Sequence, residues 1–296
     1  MNADDHFECS NCALKFPVVD AAPVLINEES SVFSIGDFVT HRKTFFDNRR
    51  VSRLRTLFRG MIPSISKNVR ADQNFRRLTE ELLRQTAAPR VLVVGGSVLG
   101  EGVEYLVRDP AIELVESDVS FGPRTTLISD AHELPFKDRS FDGVVVQAVL
   151  EHVVDPYRCC EEIFRVLKEK GVVYADTPFI QQVHGGRYDF TRFTHIGHRR
   201  LFRKFEEIDS GASCGPGMAL AWSYKYFLTS FATSRRLRAL LSIFAAATSF
   251  YLKYFDYYLI NKPGAIDSAS GFYFIGRKAQ TVLPDKELLQ LYKGLV

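Results

Sequence analysis

The chain has few of the marks of an exported, spanning or disulfide-built protein. It carries five cysteines in 296 residues, too few and too odd a number for a disulfide scaffold. Its opening, MNADDHFECS, offers no basic stretch followed by an apolar core, so no secretory signal is read there. No apolar run reaches the roughly 18 residues that a membrane span demands. The longest candidate is the 14-residue stretch 239–252, broken by Ser242, Thr248 and Ser249. As a helix it would measure about 21 Å against a hydrocarbon layer of about 30 Å. A buried or interfacial helix is the expectation. With 19 glycines and 12 prolines, collagen-like and low-complexity classes are excluded. Free cysteines without an export signal make a reducing cytoplasm the expected compartment.

Charge of one sign is also missing: 38 Lys and Arg face 35 Asp and Glu, a net charge of +3. That balance predicts no polyanionic partner, but it conceals local excesses. Residues 41–90 hold 13 basic and 4 acidic side chains, and residues 218–258 hold 12 of the 37 aromatics.

Hydrophobic periodicity divides the chain. In the basic stretch, Phe75, Leu78 and Leu82 fall on one helical face, and Pro89 ends that helix. From Val91 the pattern switches to short apolar runs: VLVV, IELVES, TTLIS, DGVVVQAV and GVVYADT. Runs of this kind fill parallel sheets buried on both faces. Between two of them, Asp155–Lys168 reads as a helix, with Asp155 as cap, Pro156 in its first turn and Gly171 beyond its end. Cys160, Ile163, Phe164 and Leu167 form its apolar stripe. Alternating strand and helix predicts a doubly wound α/β sheet. GHRRLFRKF then reads as helical, EEIDSGAS as a strand, 218–260 as helical, and GFYFIGRK (271–278) as a last strand.

In such sheets ligands bind beyond the carboxyl ends of the strands. VLVVGGSVLGEG places a glycine loop there, and Gly95 and Gly96 admit a ligand close to the backbone. The spacing departs from the dinucleotide G-x-G-x-x-G pattern. Asp118 ends the second strand, where a carboxylate can accept from both hydroxyls of a ribose.

The next motifs separate the cofactors that use this device. DAHELPF, SFDGVVVQAVLEHV, DP and EEIFRVLKEKGVVYADTPF follow one another over residues 130–179. In order and spacing they resemble the class I S-adenosylmethionine-dependent methyltransferases, in the type 11 methyltransferase-domain group. With the glycine loop, the resemblance covers roughly 88–210. It implies a Rossmann-like sheet and S-adenosylmethionine as cofactor, and the helical N-terminal segment and the helical insertion lie outside the part it covers. It also implies that Gly95, Gly96 and Ser97 line the methionine end of the cofactor and Asp118 the ribose. Asp130 and Ala131 would meet the adenine, and Gln147 and Ala148 would face the cofactor. Two positions depart from the family pattern: Val93 stands where an acid is usual, and Ser97 where a third glycine is usual.

The resulting organisation is a truncated zinc-ribbon-like stub (1–30), a basic helical segment (31–87), the methyltransferase core (88–212), an aromatic-rich helical insertion (213–270), and a final strand and tail (271–296). In the stub only Cys9 and Cys12, with His6, could bind zinc, and tetrahedral zinc needs four ligands; no metal is expected. The segment TPFIQQVHGGRYDFTRFTHIGHRRLF, at the carboxyl end of the fifth strand, should lie over the reacting methyl group. His184 is the first candidate for a base or acceptor-orienting group, with Tyr188 as the second catalytic candidate. His152, Arg187, Asp189 and Arg192 are expected to bind the acceptor, although Asp189 and Arg192, three residues apart, could equally pair to shape the loop.

The expected acceptor is a small molecule, glycan or lipid-linked intermediate. Nucleic acid is not expected, because no RNA-binding module accompanies the basic segment, whose expected role is a lid or an anion contact. A non-catalytic cofactor-binding scaffold and a tRNA-modifying enzyme are the competing classes. For the insertion, a cap over the acceptor, a peripheral membrane patch, a homodimer interface and an extra core layer all stay open.

Overall fold

The computed structural model describes residues 6–9, 13–42, 44 and 62–295. Its centre is a seven-stranded sheet. The strands are β4 (Arg90–Val94), β5 (Glu113–Asp118), β6 (Leu127–Ile128), β7 (Phe141–Gln147), β8 (Leu167–Pro178), β9 (Phe205–Cys214) and β10 (Gly271–Lys278). Their order is β6-β5-β4-β7-β8-β10-β9. The pairs from β6 to β8 are parallel, whereas β10 runs antiparallel to both β8 and β9. This is the doubly wound α/β sheet expected from the sequence.

The continuous apolar runs reflect burial on both faces. Along β4, Val91 and Val93 face helix α2 (Ala71–Gln85), where Phe75, Leu78 and Leu82 are fully buried. Leu92 and Val94 face the other side, against Cys160, Ile163 and Val166 of helix α4 (Pro156–Val166). The period of two along the strand thus meets the 3.6-residue stripe of each helix. The Asp155 side chain accepts from the Arg158 amide, and Pro156 occupies the first turn, as its sequence predicts. That helix stops at Val166, earlier than expected. Leu167 and Gly171 belong to β8, because Leu167 pairs with Phe141 and joins the core. Likewise α5 is confined to His195–Leu201, and Phe205, read as helical from the sequence, opens β9 opposite Lys278. A short helix α3 (Glu104–Arg108) joins β4 to β5.

At the N-terminus, β1 (His6–Glu8), β2 (Lys15–Val19) and β3 (Ala22–Pro23) form a small antiparallel sheet, followed by α1 (Ile35–Val39). Cys9 directly follows β1, and Cys12 lies outside the described residues. Within the basic stretch the described residues are helical only from Ala71; positions 43 and 45–61 lie outside them.

The insertion between β9 and β10 contains α6 (Pro216–Thr229), α7 (Arg235–Ser249), α8 (Asp256–Leu259) and α9 (Pro263–Ser268). Asp256, fully buried, accepts from the amides of Gly217 and Met218 at 2.7 and 2.9 Å. It thereby satisfies two of the orphan donors at the start of α6 from another helix. Among the described residues no helix is long and apolar enough to cross a membrane.

Candidate active site

Three cavities lie in a row over the carboxyl ends of β4, β5, β7 and β8. The first, about 360 Å³, is walled by Val94, Val98, Val119 and Val149, with Asp118 and Asp130 as its acids. The second, about 230 Å³, sits behind the glycine loop, between Gly96, Glu101 and Gln147. The third, about 190 Å³, is lined by Glu101, Glu151, Asp176, His184 and Met218, among others. Ala148 borders all three. Its φ of +54° is a left-handed conformation that a residue with a Cβ adopts at a cost of about 1–3 kcal/mol, a form of strain that tends to gather at functional sites.

The glycine loop is bent tightly at the end of β4. Gly95 has a φ of +77°, and a Cβ there would lie 2.4 Å from Val149 Cγ2, so only glycine fits. The amides of Gly95 and Gly96 both donate to the Ser117 carbonyl, at 2.9 and 3.0 Å. The Ser97 amide donates to Asp118 Oδ2 at 3.0 Å. Burial raises the Asp118 pKa, and the amides around it only partly offset this.

Asp130 lines the first cavity, but its oxygens are already engaged. Oδ2 accepts from Ser31 Oγ, and Oδ1 from the His132 amide and Nδ1. Because His132 Nε2 accepts from the Asp155 amide, Nδ1 carries the ring proton. Burial acts to raise the Asp130 pKa, but the bonds from His132 and Ser31 prevail and lower it. The N-terminal segment is therefore the lid of this cavity, through Ser31, Val32 and Phe33.

Tyr188 also belongs to this cavity. Its ring stacks on Phe33 at 5.6 Å. It is absent from the lining of the third cavity, where His184 lies. Arg187 is exposed, lying over the Tyr188 ring and donating to its hydroxyl.

Asp189 and Arg192 make the loop-shaping pair that the sequence left as an alternative. Asp189 Oδ2 accepts from the amides of His184 and Gly185, at 2.8 and 3.1 Å, and Arg192 pairs with the same carboxylate. Arg192 also donates to the carbonyls of Gln181, Gln182 and Thr191. Burial would raise the Asp189 pKa, but Arg192 and the two amides hold it well below the ordinary value.

The two remaining histidines meet at a buried acid. His152 Nδ1 donates to the Tyr188 carbonyl at 2.7 Å, and His184 Nδ1 to the Gln182 carbonyl at 3.2 Å. Both Nε2 atoms then face Glu151 Oε1, at 3.6 and 3.8 Å. Glu151 is 1% exposed, and neither of its carboxylate oxygens has a hydrogen-bond partner among the described residues. Burial lowers the His152 pKa. It pulls the same way on His184, but Glu151 and the Gln182 carbonyl prevail and raise that pKa. These three residues are also the group among the described residues that could hold a metal ion, with ligand atoms within 4.8 Å of one another.

Sequence reasoning missed Glu151, Asp176, Asn68 and Glu101. Asp176 is held by Asn68 Nδ2, Ser213 Oγ and the Tyr174 hydroxyl, and burial pushes its pKa up to about 7. Its position near the end of a strand, like that of Asp118, was the one signal available. Gln147 faces the second and third cavities and donates to the Glu101 carbonyl. Glu101 borders the same second cavity as Val93, and its carboxylate pairs with Lys67 and accepts from the Asn68 amide.

Residues 102–175 match a methyltransferase domain. S-adenosylmethionine, the cofactor expected from the sequence, agrees with that match. No curated protein sequence matches the chain. Among solved structures, the [4+2]-cyclase SpnF is similar at 19% identity and a TM-score of 0.42, over 70% of this chain and 80% of that one. The phosphoethanolamine N-methyltransferase 2 of Haemonchus contortus is similar at 16% identity and a TM-score of 0.47, over 80% of this chain and 59% of that one.

Proposed function

We propose that the chain is an S-adenosylmethionine-dependent methyltransferase acting on a small-molecule, glycan or lipid-linked acceptor. The observation that carries this is the row of cavities around Ala148, with Asp118 at one end and Glu151 and His184 at the other. The first cavity suits a nucleoside: it is mostly apolar, with a few convergent polar groups and a volume in the usual range for small-ligand sites. Asp118 would hold the ribose, the backbone from Gly95 to Ser97 would border the methionine portion, and Glu101 would face its ammonium group. The cofactor supplies a methyl group already activated on sulfur.

The protein's part is alignment and proton handling. An acceptor in the third cavity meets His184, whose Nε2 is the ring nitrogen left to take a proton. Glu151 stabilises the imidazolium that results, and the Gln182 carbonyl fixes the tautomer.

Calorimetric titration with S-adenosylhomocysteine tests the assignment. Binding should weaken by about ten-fold or more in Asp118→Ala, the usual scale for a lost hydrogen bond to a charged group. Absence of binding to the wild-type protein at millimolar cofactor would sink the proposal.

A further inference from the structure

Helix α7 is packed inside out. It buries the small residues Ala245, Ala246 and Ser249 and exposes Leu237, Leu240 and Phe244. The exposed residues follow helical spacing, so they form one stripe opposite the buried face. Leu240 is 65% exposed and Phe244 54%. Elsewhere in the insertion Phe231 is 65% exposed and Tyr258 69%. A soluble helix normally turns such a stripe inward, so an apolar medium is expected to cover this one.

The charges identify the medium. Residues 215–262 contain six cations, one of which, Lys253, is buried and donates to the Ser64 carbonyl, and a single acid, Asp256, which is buried at the start of α6. Arg235, Arg236 and Arg238 stand in the first turns of α7, where the helix dipole disfavours positive charge. None of the three has an ion-pair partner among the described residues. Lys262 lies over the Tyr258 ring at 4.8 Å, and Lys225 over Trp222 at 5.2 Å.

We propose that the helical insertion docks on the surface of a bilayer containing anionic lipid. Aromatic and aliphatic side chains would enter the headgroup boundary while the arginines meet phosphates. A second copy of the chain fits less well, because a two-fold contact would bring the same cations together. The surface lies on the bilayer rather than across it, since no described helix can span.

Flotation of the full-length protein tests this, using vesicles of phosphatidylcholine alone or mixed with phosphatidylglycerol. The protein should float with the anionic vesicles and be released by salt. Replacing Arg235, Arg236 and Arg238 with serine should weaken partitioning about five-fold per residue, roughly a hundred-fold together. Leu240→Ser with Phe244→Ser should abolish it while leaving the melting temperature unchanged, as the side chains are exposed. The proposal is overturned if the wild-type protein stays in the soluble fraction at low salt with anionic vesicles. It is equally overturned if sedimentation shows a dimer that the apolar double variant turns into monomer. Neither readout requires methyl transfer, so the site assignment stands or falls separately.

Discussion

Replacing Glu151 with glutamine should lower the pKa of His184, and the size of the change follows from the geometry. The carboxylate oxygen lies 3.8 Å from His184 Nε2. At an effective dielectric of about 20, that separation is worth roughly 4 kcal/mol. The ring is 24% exposed, and solvent screening together with desolvation should leave about 1–2 kcal/mol, or about one pH unit. Glutamine keeps the shape and removes the charge. The assay is NMR of the histidine ring nuclei across pH, with His184→Gln identifying the signal, and it needs no knowledge of the acceptor. In the wild-type protein the midpoint should lie above 6.5, the ordinary value. In Glu151→Gln it should fall by about one unit. Because the folded pKa is raised, this ionisation stabilises the fold below pH 6.5, and the contribution fades as pH rises through the folded value. A midpoint that does not move would refute the pairing and, with it, the proton route proposed for His184.

Three further outcomes are expected. Leu78→Ala, at a fully buried position between α2 and the sheet, should destabilise the protein by about 2–5 kcal/mol in urea titrations, with an unchanged slope; a loss below half a kcal/mol would mean that α2 is not docked as described. Asp189→Asn should lower the melting temperature at neutral pH by loosening the His184 loop. Since the Asp189 pKa is depressed when folded, the deficit relative to wild type should shrink as pH falls below 3.8, and a constant deficit would contradict the pairing with Arg192. If Glu151 and His184 work as a proton pair, chelators should leave cofactor binding and methyl transfer unaltered; stoichiometric uptake of zinc or manganese that disappears in Glu151→Gln would recast the group as a metal site.

What could be read from the sequence depended on how local each signal was. The strands were legible because burial on both faces demands unbroken runs such as VLVV and GVVY. Helix α4 was legible because Asp155 and Pro156 lie beside the turn they start. Its end was misplaced, since the pairing of Leu167 with Phe141 that ends it joins residues far apart in the chain. Asp118 could be nominated from its place at a strand end. Asp176 with Asn68 could not, because they meet across 108 positions. Tyr188 and His184 are four residues apart and were both catalytic candidates. A short 3₁₀ turn at Gly186–Tyr188 sends one to the first cavity and the other to the third.

The sequence alone determined the α/β class, the glycine loop, the strand-end carboxylate and the position of the aromatic insertion. Each rests on periodicity or on neighbours within a few residues, where backbone geometry acts directly. The tertiary structure decided which acids surround His184, that Ser31 closes over Asp130, that Asp189 and Arg192 serve the loop, and that α7 turns its large apolar side chains outward. Those outcomes depend on contacts between distant segments, and the hydrophobic pattern of a helix states only that it has two faces. Which face the protein covers is settled by what packs against it.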